Sequence, residues 1–205
     1  MIVVADTSPF VVLVNIGHVE LLPGMYGRII VPPEVAAELA SPKRPEAVRS
    51  FIAAPPAWLE IRAPSSVEAI DGLDAGEAAA ISLAREVGAD RVIIDEGCGR
   101  KAAVARKLQV IGTIGVLVAA AQRGLIDLGQ AFEKVKRTDF WVSNSFLDEQ
   151  LALFHQWKHT QEQAQEQDRE AQGPLAPGPD APEGSAQVQE PKKDLEHDPG
   201  FKMGM

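Results

Sequence analysis

Short runs of β-branched residues alternate with helix-like segments along residues 1–157, and this alternation limits the fold more than any other feature. The strand-like runs IVVA, RIIV, WLEIR, RVII and QVI are largely apolar along their length. Such runs are typical of parallel strands that are buried between two layers of helices. The sequence therefore predicts an α/β fold with a mostly parallel central sheet.

The expected elements follow one another closely. Strands are expected at residues 2–5, 28–31, 58–62, 91–94 and 109–111. Helices are expected at residues 10–22, 32–40, 44–53, 74–88, 99–108, 128–136 and 145–157, and another begins near Thr113. The last of these helices is expected to pack on the core or on a second copy of the chain.

The composition changes at about residue 158, where Gln, Glu, Pro and Gly replace the large apolar residues. Residues 158–205 are therefore expected to form a disordered acidic tail, because they cannot bury enough surface to offset the entropy of ordering. An extension of the preceding helix over residues 160–171 stays open. Residues 1–157 hold 15 Lys and Arg against 19 Asp and Glu, whereas residues 158–205 hold 5 against 10. The tail thus carries more than half of the net charge of −9.

The sequence carries none of the usual signals of export or membrane insertion. No apolar run is long enough to span a membrane, and the start MIVVADTSPF lacks the basic residues and cleavage site of a secretory signal. We therefore expect a cytoplasmic protein. Cys98 is the single cysteine, which excludes an internal disulfide and a cysteine-rich zinc site.

Polar residues follow three of the expected strands. Asp6 follows the first strand, Asp95 and Glu96 follow the fourth, and Thr113 follows the fifth. In open parallel sheets, ligands bind in the crevice beyond the carboxyl ends of the strands. These residues therefore mark the expected position of a functional site.

Two further acids lie on helices that begin near the same edge, Glu38 and Glu77. Each acid taken alone has a structural explanation. Asp6 can cap a helix, Asp95 can accept amides of the following turn, Glu38 can be solvated, and Glu77 can interact with a helix dipole. Four carboxylates at one strand edge, however, repel each other unless a cation lies between them. Mg²⁺ or Mn²⁺ would suit such oxygen ligands.

The segments ADTSP, VPPEVAAEL, GEAAAISLA and VIIDEGCGRKAAVARKL, in this order, resemble the PIN-domain nucleases. The resemblance is to the uncharacterised prokaryotic branch that is similar to toxins of the VapC type, and it covers residues 1–157. It implies a three-layer α/β/α sandwich and a metal-dependent ribonuclease. It also implies a homodimer, and a toxin role would add an antitoxin protein as partner.

The resemblance implies catalytic roles for Asp6, Glu38, Glu77 and Asp95. Direct contact with Mg²⁺ or Mn²⁺ is implied for Asp6, Glu77 and Asp95, with Glu96 as the alternative to Asp95. Water would attack the phosphodiester, so the expected products carry a 5′-phosphate and a 3′-hydroxyl.

Two residues are expected to support the acids. Ser8 matches the small hydroxyl or amide residue that assists the first acid in the family, and Thr113 lies at the end of the fifth strand. The run DEGCGR departs from the family pattern, which leaves open whether Asp95 or Glu96 faces the metal. Glu77 is one methylene longer than the usual aspartate, so one or two ions are both compatible with the sequence.

An acidic protein needs local positive charge to collect RNA. Arg100, Lys101 and Lys107, with Arg106, lie on the segment after Asp95 and Glu96, and Arg100 and Lys107 are expected on nearly one helix face. Arg100 could alternatively receive an antitoxin segment. A solvated helix face explains these cations equally well. The second group of cations comprises Lys43, Arg44 and Arg49.

Three other functions compete with the nuclease. A phosphatase of the haloacid dehalogenase type also places an aspartate after its first strand, but there a second aspartate is expected where this chain has Ser8. A receiver-type domain needs a lysine after a late strand, which is missing here. A degenerate PIN fold that only binds a partner is the non-enzymatic alternative, and the four acids argue against it.

Overall fold

The computed structural model describes residues 1–172. The predicted disorder of the tail therefore lies, from residue 173 onward, outside the described residues. Over residues 158–172 the chain is helical, which confirms the extension of the preceding helix. The chain divides into a compact unit, Met1–Gln165, and a second unit that begins at Glu166. The expected boundary at residue 157 stays a prediction.

Residues 1–172 form five strands and nine helices. The strands are β1 (Val3–Ala5), β2 (Ile29–Val31), β3 (Leu59–Ile61), β4 (Arg91–Ile93) and β5 (Val110–Ile111). The helices are α1 (Thr7–Asn15), α2 (Leu21–Tyr26), α3 (Pro33–Leu39), α4 (Glu46–Ala53), α5 (Ala75–Glu86), α6 (Gly97–Ala105), α7 (Thr113–Gln122), α8 (Leu128–Val135) and α9 (Asn144–Gln172). No helix among the described residues is both long and apolar enough to cross a membrane.

All five strands run parallel in one sheet, in the order β3-β2-β1-β4-β5. β1 is the middle strand, and Val3 pairs with Ile29 of β2 on one side and Arg91 of β4 on the other. The chain moves outward from β1 through β2 to β3 and then returns to place β4 on the opposite side of β1. The boundary between β1 and β4 is therefore the topological switch point, where ligands bind in folds of this kind.

Helices cover both faces of the sheet. Val4, Ile30 and Val92 belong to a core that includes buried residues of α5 and α6. Val3 and Ile29 belong to the larger core on the other face, which the remaining helices complete. This alternation of strand residues between two cores confirms the predicted three-layer α/β/α sandwich.

Two expected helices differ from the structure. The helix expected at residues 10–22 is two helices, because α1 ends at Asn15 and the chain turns at Gly17, whose φ is +72°. The helix expected at residues 99–108 ends at Ala105, and Lys107 follows it in the left-handed region with a φ of +63°. Lys107 therefore does not share a helix face with Arg100.

The beginning of α9 packs on the larger core. Leu147 is fully buried, and the partly buried Leu151 and Phe154 contact the same core at helical spacing. The hydroxyl of Ser143 accepts a hydrogen bond from the amide of Phe146 at 3.2 Å and so caps the helix. The first turns of α9 are therefore part of the compact unit, as the sequence predicts.

Candidate active site

Asp6 lies where β1 ends and α1 begins, at the switch point of the sheet. It occupies the N-cap position in extended backbone, but its side chain makes no capping hydrogen bond, so the capping explanation fails. The residue is only 5% exposed. The pKa of Asp6 is raised from 3.8 to about 7, mainly by burial and in smaller part by the charges of Asp74, Glu77 and Glu38, while the backbone of Thr7 offsets part of the effect. Asp6 is thus a buried acid that faces other acids.

Glu77 lies in the first turn of α5 and forms a capping box with Asp74. The Glu77 amide donates to Asp74 Oδ1 at 2.8 Å, and the Asp74 amide donates to Glu77 Oε2 at 3.3 Å. Among the described residues, Glu77 Oε1 is buried and has no hydrogen-bond partner. Burial raises the pKa of Glu77, as do the charges of Asp74, Glu96 and Glu38. The helix cap therefore explains one oxygen of Glu77 and leaves the other available.

The unpaired oxygen of Glu77 lies against a glycine. A Cβ atom at Gly99 would lie 2.6 Å from Glu77 Oε1 and 2.9 Å from Ile94 Cγ2, which is too close for any larger residue. Gly99 is the third residue of α6, so the space for the carboxylate is created where α5 and α6 approach each other. The position of Glu77 Oε1 thus depends on the absence of a side chain at Gly99.

Glu38, on α3, is held by two groups of the protein. The Thr7 hydroxyl donates to Glu38 Oε2 at 2.6 Å, and Arg44 pairs with Glu38 Oε1. A Cβ atom at Gly76 would lie 3.5 Å from Glu38 Oε2 and 3.4 Å from Asp74 Oδ1, so α3 and the start of α5 are close here. Glu38 therefore belongs to the same cluster as Asp6, Asp74 and Glu77, and Arg44 already serves as its counter-ion.

Asp95 follows β4 but is bound in a different way. Its Oδ1 accepts from the Thr113 amide at 2.7 Å, and its Oδ2 accepts from the Thr113 hydroxyl at 2.5 Å. Burial raises the pKa of Asp95, while the bonds from Thr113 and the charge of Arg100 act in the opposite direction. Arg100 is fixed by donating to the Ile94 carbonyl at 3.2 Å. The carboxylate of Asp95 is therefore already paired within the protein.

Glu96 is exposed and occupies the N-cap position of α6 without a side-chain capping bond. Its charge contributes to the raised pKa of Glu77. The structure thus brings Asp6, Glu38 and Glu77 together, with Glu96 on the side of Glu77. Of the two acids after β4, Glu96 is the one with a free carboxylate, whereas Asp95 is tied to Thr113.

Asp74 belongs to this acid cluster and was missed by the sequence analysis. The signal was available in LDAGE, since an acid three residues before a glutamate at a helix start is typical of a capping box. A capping box places both side chains at the beginning of the helix. Asp74 therefore adds a fifth carboxylate to Asp6, Glu38, Glu77 and Glu96.

A divalent cation is compatible with this donor set. As the side chains stand, no group of three or more His, Cys, Asp or Glu within residues 1–172 encloses a metal position. The donors are nonetheless carboxylate oxygens, the ligands that Mg²⁺ and Mn²⁺ prefer. Glu77 Oε1 has no hydrogen-bond partner and Asp6 has no side-chain capping bond, and a bound cation would offer a partner to both carboxylates. The chemistry of the donors therefore fits the ion that the resemblance implies.

A cleft of about 1380 Å³ lies beside the two acids that follow β4. Its lining residues include Ser8, Asp95 and Glu96. The remaining walls come from α1, from the loop between α3 and α4, and from the segment at the end of α8. The residues of these walls include Asn15, Lys43, Arg44, Lys134, Arg137, Phe140 and Trp141. The segment after α8 carries no recognisable motif, so nothing in the sequence alone connects it with the site.

The cations after Asp95 do not share one exposed helix face, contrary to the prediction. Arg106 pairs with Glu68 at 2.5 Å, and Arg100 donates to a backbone carbonyl. Lys101 and Lys107 are exposed, but Lys107 lies beyond the end of α6. The cations that line the cleft are instead Lys43, Arg44, Lys134 and Arg137. Arg49, in the second group of predicted cations, is exposed on α4.

Comparison with known proteins identifies one matching family. A family model described as a PIN domain (DUF3368) matches residues 2–156. A PilT N-terminus domain protein from the hyperthermophilic archaeon Sulfolobus solfataricus P2 is similar in structure, with 17% sequence identity and a TM-score of 0.45 over 58% of this chain and 93% of its own. No curated protein matches the sequence. The family match extends from β1 to the first turns of α9.

Proposed function

Because this chain belongs to the PIN-domain family, we propose that it is a metal-dependent ribonuclease that hydrolyses RNA phosphodiester bonds. The observation that carries the proposal is the pair formed by Asp6 and Glu77. Asp6 is buried at the switch point without a capping bond, and Glu77 presents a buried oxygen without a partner. Burying two such acids next to each other is unfavourable unless a cation is shared between them.

The acids divide into ligands and supporting groups. Asp6, Glu77 and Glu96 would hold Mg²⁺ or Mn²⁺, and Asp74 is close enough to influence Asp6 and Glu77 by its charge. When bound, a divalent ion activates water and neutralises charge on the phosphate oxygens. Because the pKa of Asp6 is raised to about 7, Asp6 gives up a proton at neutral pH when a cation binds beside it.

The other residues orient the ligands and the substrate. Thr7 and Arg44 fix both oxygens of Glu38, so Glu38 is placed to orient groups beside the ligands. Asp95 fixes the start of α7 through Thr113 and thereby holds the turn that carries Glu96. Ser8 lines the cleft beside these acids. Hydrolysis by water would leave a 5′-phosphate and a 3′-hydroxyl.

The cleft favours a polymeric substrate over a small phosphate ester. Its volume of about 1380 Å³ exceeds the roughly 300–1,000 Å³ of ordinary small-molecule sites. Four cationic residues line it beside three acids, and the cations suit a chain of phosphates. The phosphatase alternative further lacks a second aspartate at Ser8. The inactive binding module is disfavoured because burying unpaired acids is unfavourable, and a protein without catalytic activity would have no use for them.

The toxin role, the antitoxin partner, the homodimer and the cytoplasmic location stay predictions. Induced expression in a bacterial host tests the toxin role, because a toxin arrests growth whereas Asp6→Asn does not. Light scattering of the purified chain tests the homodimer. Arg100 is engaged with Ile94 and lies beside Asp95, so an antitoxin contact there would have to compete with these partners.

Incubation of the purified protein with mixed RNA in Mg²⁺ or Mn²⁺ tests the proposed function. We expect cleavage that stops on addition of EDTA and in Asp6→Asn, and products that carry a 5′-phosphate. Asp71→Asn, at an exposed turn, is the matched control and should cleave normally. Cleavage that persists in EDTA and in Asp6→Asn would reject the assignment. Metal-dependent hydrolysis of small phosphate esters without RNA cleavage would favour the phosphatase.

A further inference from the structure

One part of the cleft wall is formed by the end of α8 and the residues that follow it. Lys134 and Arg137 contribute positive charge, and Phe140 and Trp141 contribute aromatic rings. Phe140 is partly buried against the larger core, which anchors the segment. Trp141, the next residue, is 98% exposed although it lines the cleft.

An indole that is almost fully exposed leaves a large apolar surface in water. Trp side chains are normally covered to a large extent, since burying such a ring is strongly favourable. Trp58 and Trp157 follow this rule and are only partly exposed. Trp141 therefore presents an uncovered aromatic face at a cleft that several charged side chains also line.

The cations beside Trp141 are available for phosphate groups. Within residues 1–172, Arg137 and Lys43 have no acidic partner at salt-bridge distance. Lys134 is held at the end of α1, where its Nζ donates to the Ile16 carbonyl at 3.3 Å. The lining thus combines an exposed aromatic ring with unpaired cations, the combination that single-stranded nucleic acids bind.

We propose that Trp141 is a specificity residue that stacks on an unpaired base of the RNA, while Arg137 and Lys43 contact the neighbouring phosphates. The inference rests on the proposed ribonuclease function and adds to it the residue that distinguishes unpaired from paired substrate. In a duplex, both faces of each internal base are already covered by neighbouring bases. A base in a single strand has a free face that Trp141 can cover.

Fluorescence anisotropy with a labelled oligoribonucleotide tests the proposal in EDTA, where no cleavage is expected. For a single strand, Trp141→Ala should weaken binding by about 5- to 150-fold, whereas Trp141→Phe should retain most of the affinity. For a duplex of the same sequence, both variants should bind as the unmodified protein does. Phe146→Ala is the matched control, because Phe146 is 42% exposed but does not line the cleft.

Charge is tested separately with Arg137→Gln. This variant should weaken binding to single strands and duplexes alike, and the slope of log affinity against log salt should fall by about one. Unchanged affinity of Trp141→Ala for single strands would overturn the stacking proposal and point to a protein partner at this surface. Equal losses for single strands and duplexes would overturn it as well.

The binding assay separates this inference from the proposed function. If Trp141→Ala loses affinity as expected but no RNA is cleaved in Mg²⁺ or Mn²⁺, the ribonuclease proposal fails and the base contact stands. If RNA is cleaved but Trp141→Ala binds single strands normally, the ribonuclease proposal stands and the base contact fails.

Discussion

Asp6 and Asp95 follow the ends of two neighbouring strands, yet their surroundings are opposite. β1 and β4 pair in parallel, with Ala5 opposite Ile93. Asp6 follows β1 directly, and Asp95 lies two residues after the end of β4. Asp6 makes no capping bond, and three acids raise its pKa beyond the effect of burial. Asp95 accepts two hydrogen bonds from Thr113, and the positive charge of Arg100 acts to lower its pKa.

The difference comes from what the rest of the chain places beside each strand end. α7 begins at Thr113, and its unpaired amide needs an acceptor that Asp95 supplies. The last turn of α3 and the first turn of α5 bring Glu38 and Glu77 toward Asp6 instead. The two strand-end aspartates therefore differ in their partners, since Thr113 holds Asp95 whereas Asp6 lies among other carboxylates, and the sequence position alone does not decide between these arrangements.

The largest expected effect is on RNA cleavage. Asp6→Asn should reduce the rate by at least about 1,000-fold, because it removes a charge that the proposed cation needs. Asp95→Asn should cost only about tenfold, because asparagine keeps a carbonyl oxygen for the Thr113 amide. Single-turnover cleavage rates at saturating protein measure both. Equal losses of cleavage rate in the two variants would show that Asp6 and Asp95 contribute alike to catalysis.

The next effect is on the pH dependence of stability, measured in EDTA. The pKa of Asp6 is raised from 3.8 to about 7, so between these values the folded state holds a proton that the unfolded state has released. Raising the pH through this window therefore lowers the free energy of unfolding, by on the order of 2–4 kcal/mol. Asp6→Asn should lack this contribution and be more stable than the unmodified protein at pH 8.

Urea denaturation at pH 5 and pH 8 measures this effect. Asp95→Ala provides the contrast, because it leaves the buried Thr113 amide and hydroxyl without an acceptor. It should destabilise the fold by about 1–3 kcal/mol at both pH values. An Asp6→Asn variant that is less stable than the unmodified protein at pH 8 would show that the Asp6 carboxylate is stabilised in the metal-free fold.

The smallest effect concerns the two glycines that make room for the acids. A Cβ atom at Gly99 would collide with Glu77 Oε1, and a Cβ atom at Gly112 would lie 2.9 Å from Asp95 Oδ1 and 2.8 Å from Arg100 Nη1. Each alanine variant should lose about 1–3 kcal/mol of stability by overpacking. Gly97→Ala is the matched control, since nothing lies within 4 Å of its Cβ position.

The same two glycine variants should differ in how much Mn²⁺ stabilises them. Gly99→Ala displaces Glu77, so it should weaken the stabilisation that Mn²⁺ gives in thermal unfolding. Gly112→Ala displaces Asp95 and should leave that stabilisation largely intact. Comparable losses of Mn²⁺ stabilisation in both variants would place Asp95 among the ligands.

Most of the fold could be predicted because its strands are short apolar runs between clear helix signals. All five strands were located to within one residue at either end. The break between α1 and α2 was missed because apolar residues continue through Ile16 and Val19, and only Gly17 indicates a turn. The end of α6 was missed because Arg106 and Lys107 are good helix formers, although Lys107 adopts a left-handed conformation.

The site was less predictable than the fold. A strand end and a helix start place Asp6 and Glu77 at one edge of the sheet, whereas Glu38 reaches the same cluster from the last turn of α3. The separation of Asp95 from this group depends on Thr113, and no spacing in the sequence reveals that bond. Trp141 was missed because only the tertiary packing of α8 brings it to the cleft.

The central position of β1 also determines when the acid cluster can form during synthesis. β1 is made first, but β4, its neighbour on one side, comprises residues 91–93. At ordinary translation rates, the ribosome needs on the order of 5–20 seconds to make the intervening chain. Throughout that interval Asp6 lacks the strand that forms the other side of the switch point. The surroundings of Asp6 are therefore complete only after the growing chain has passed β4.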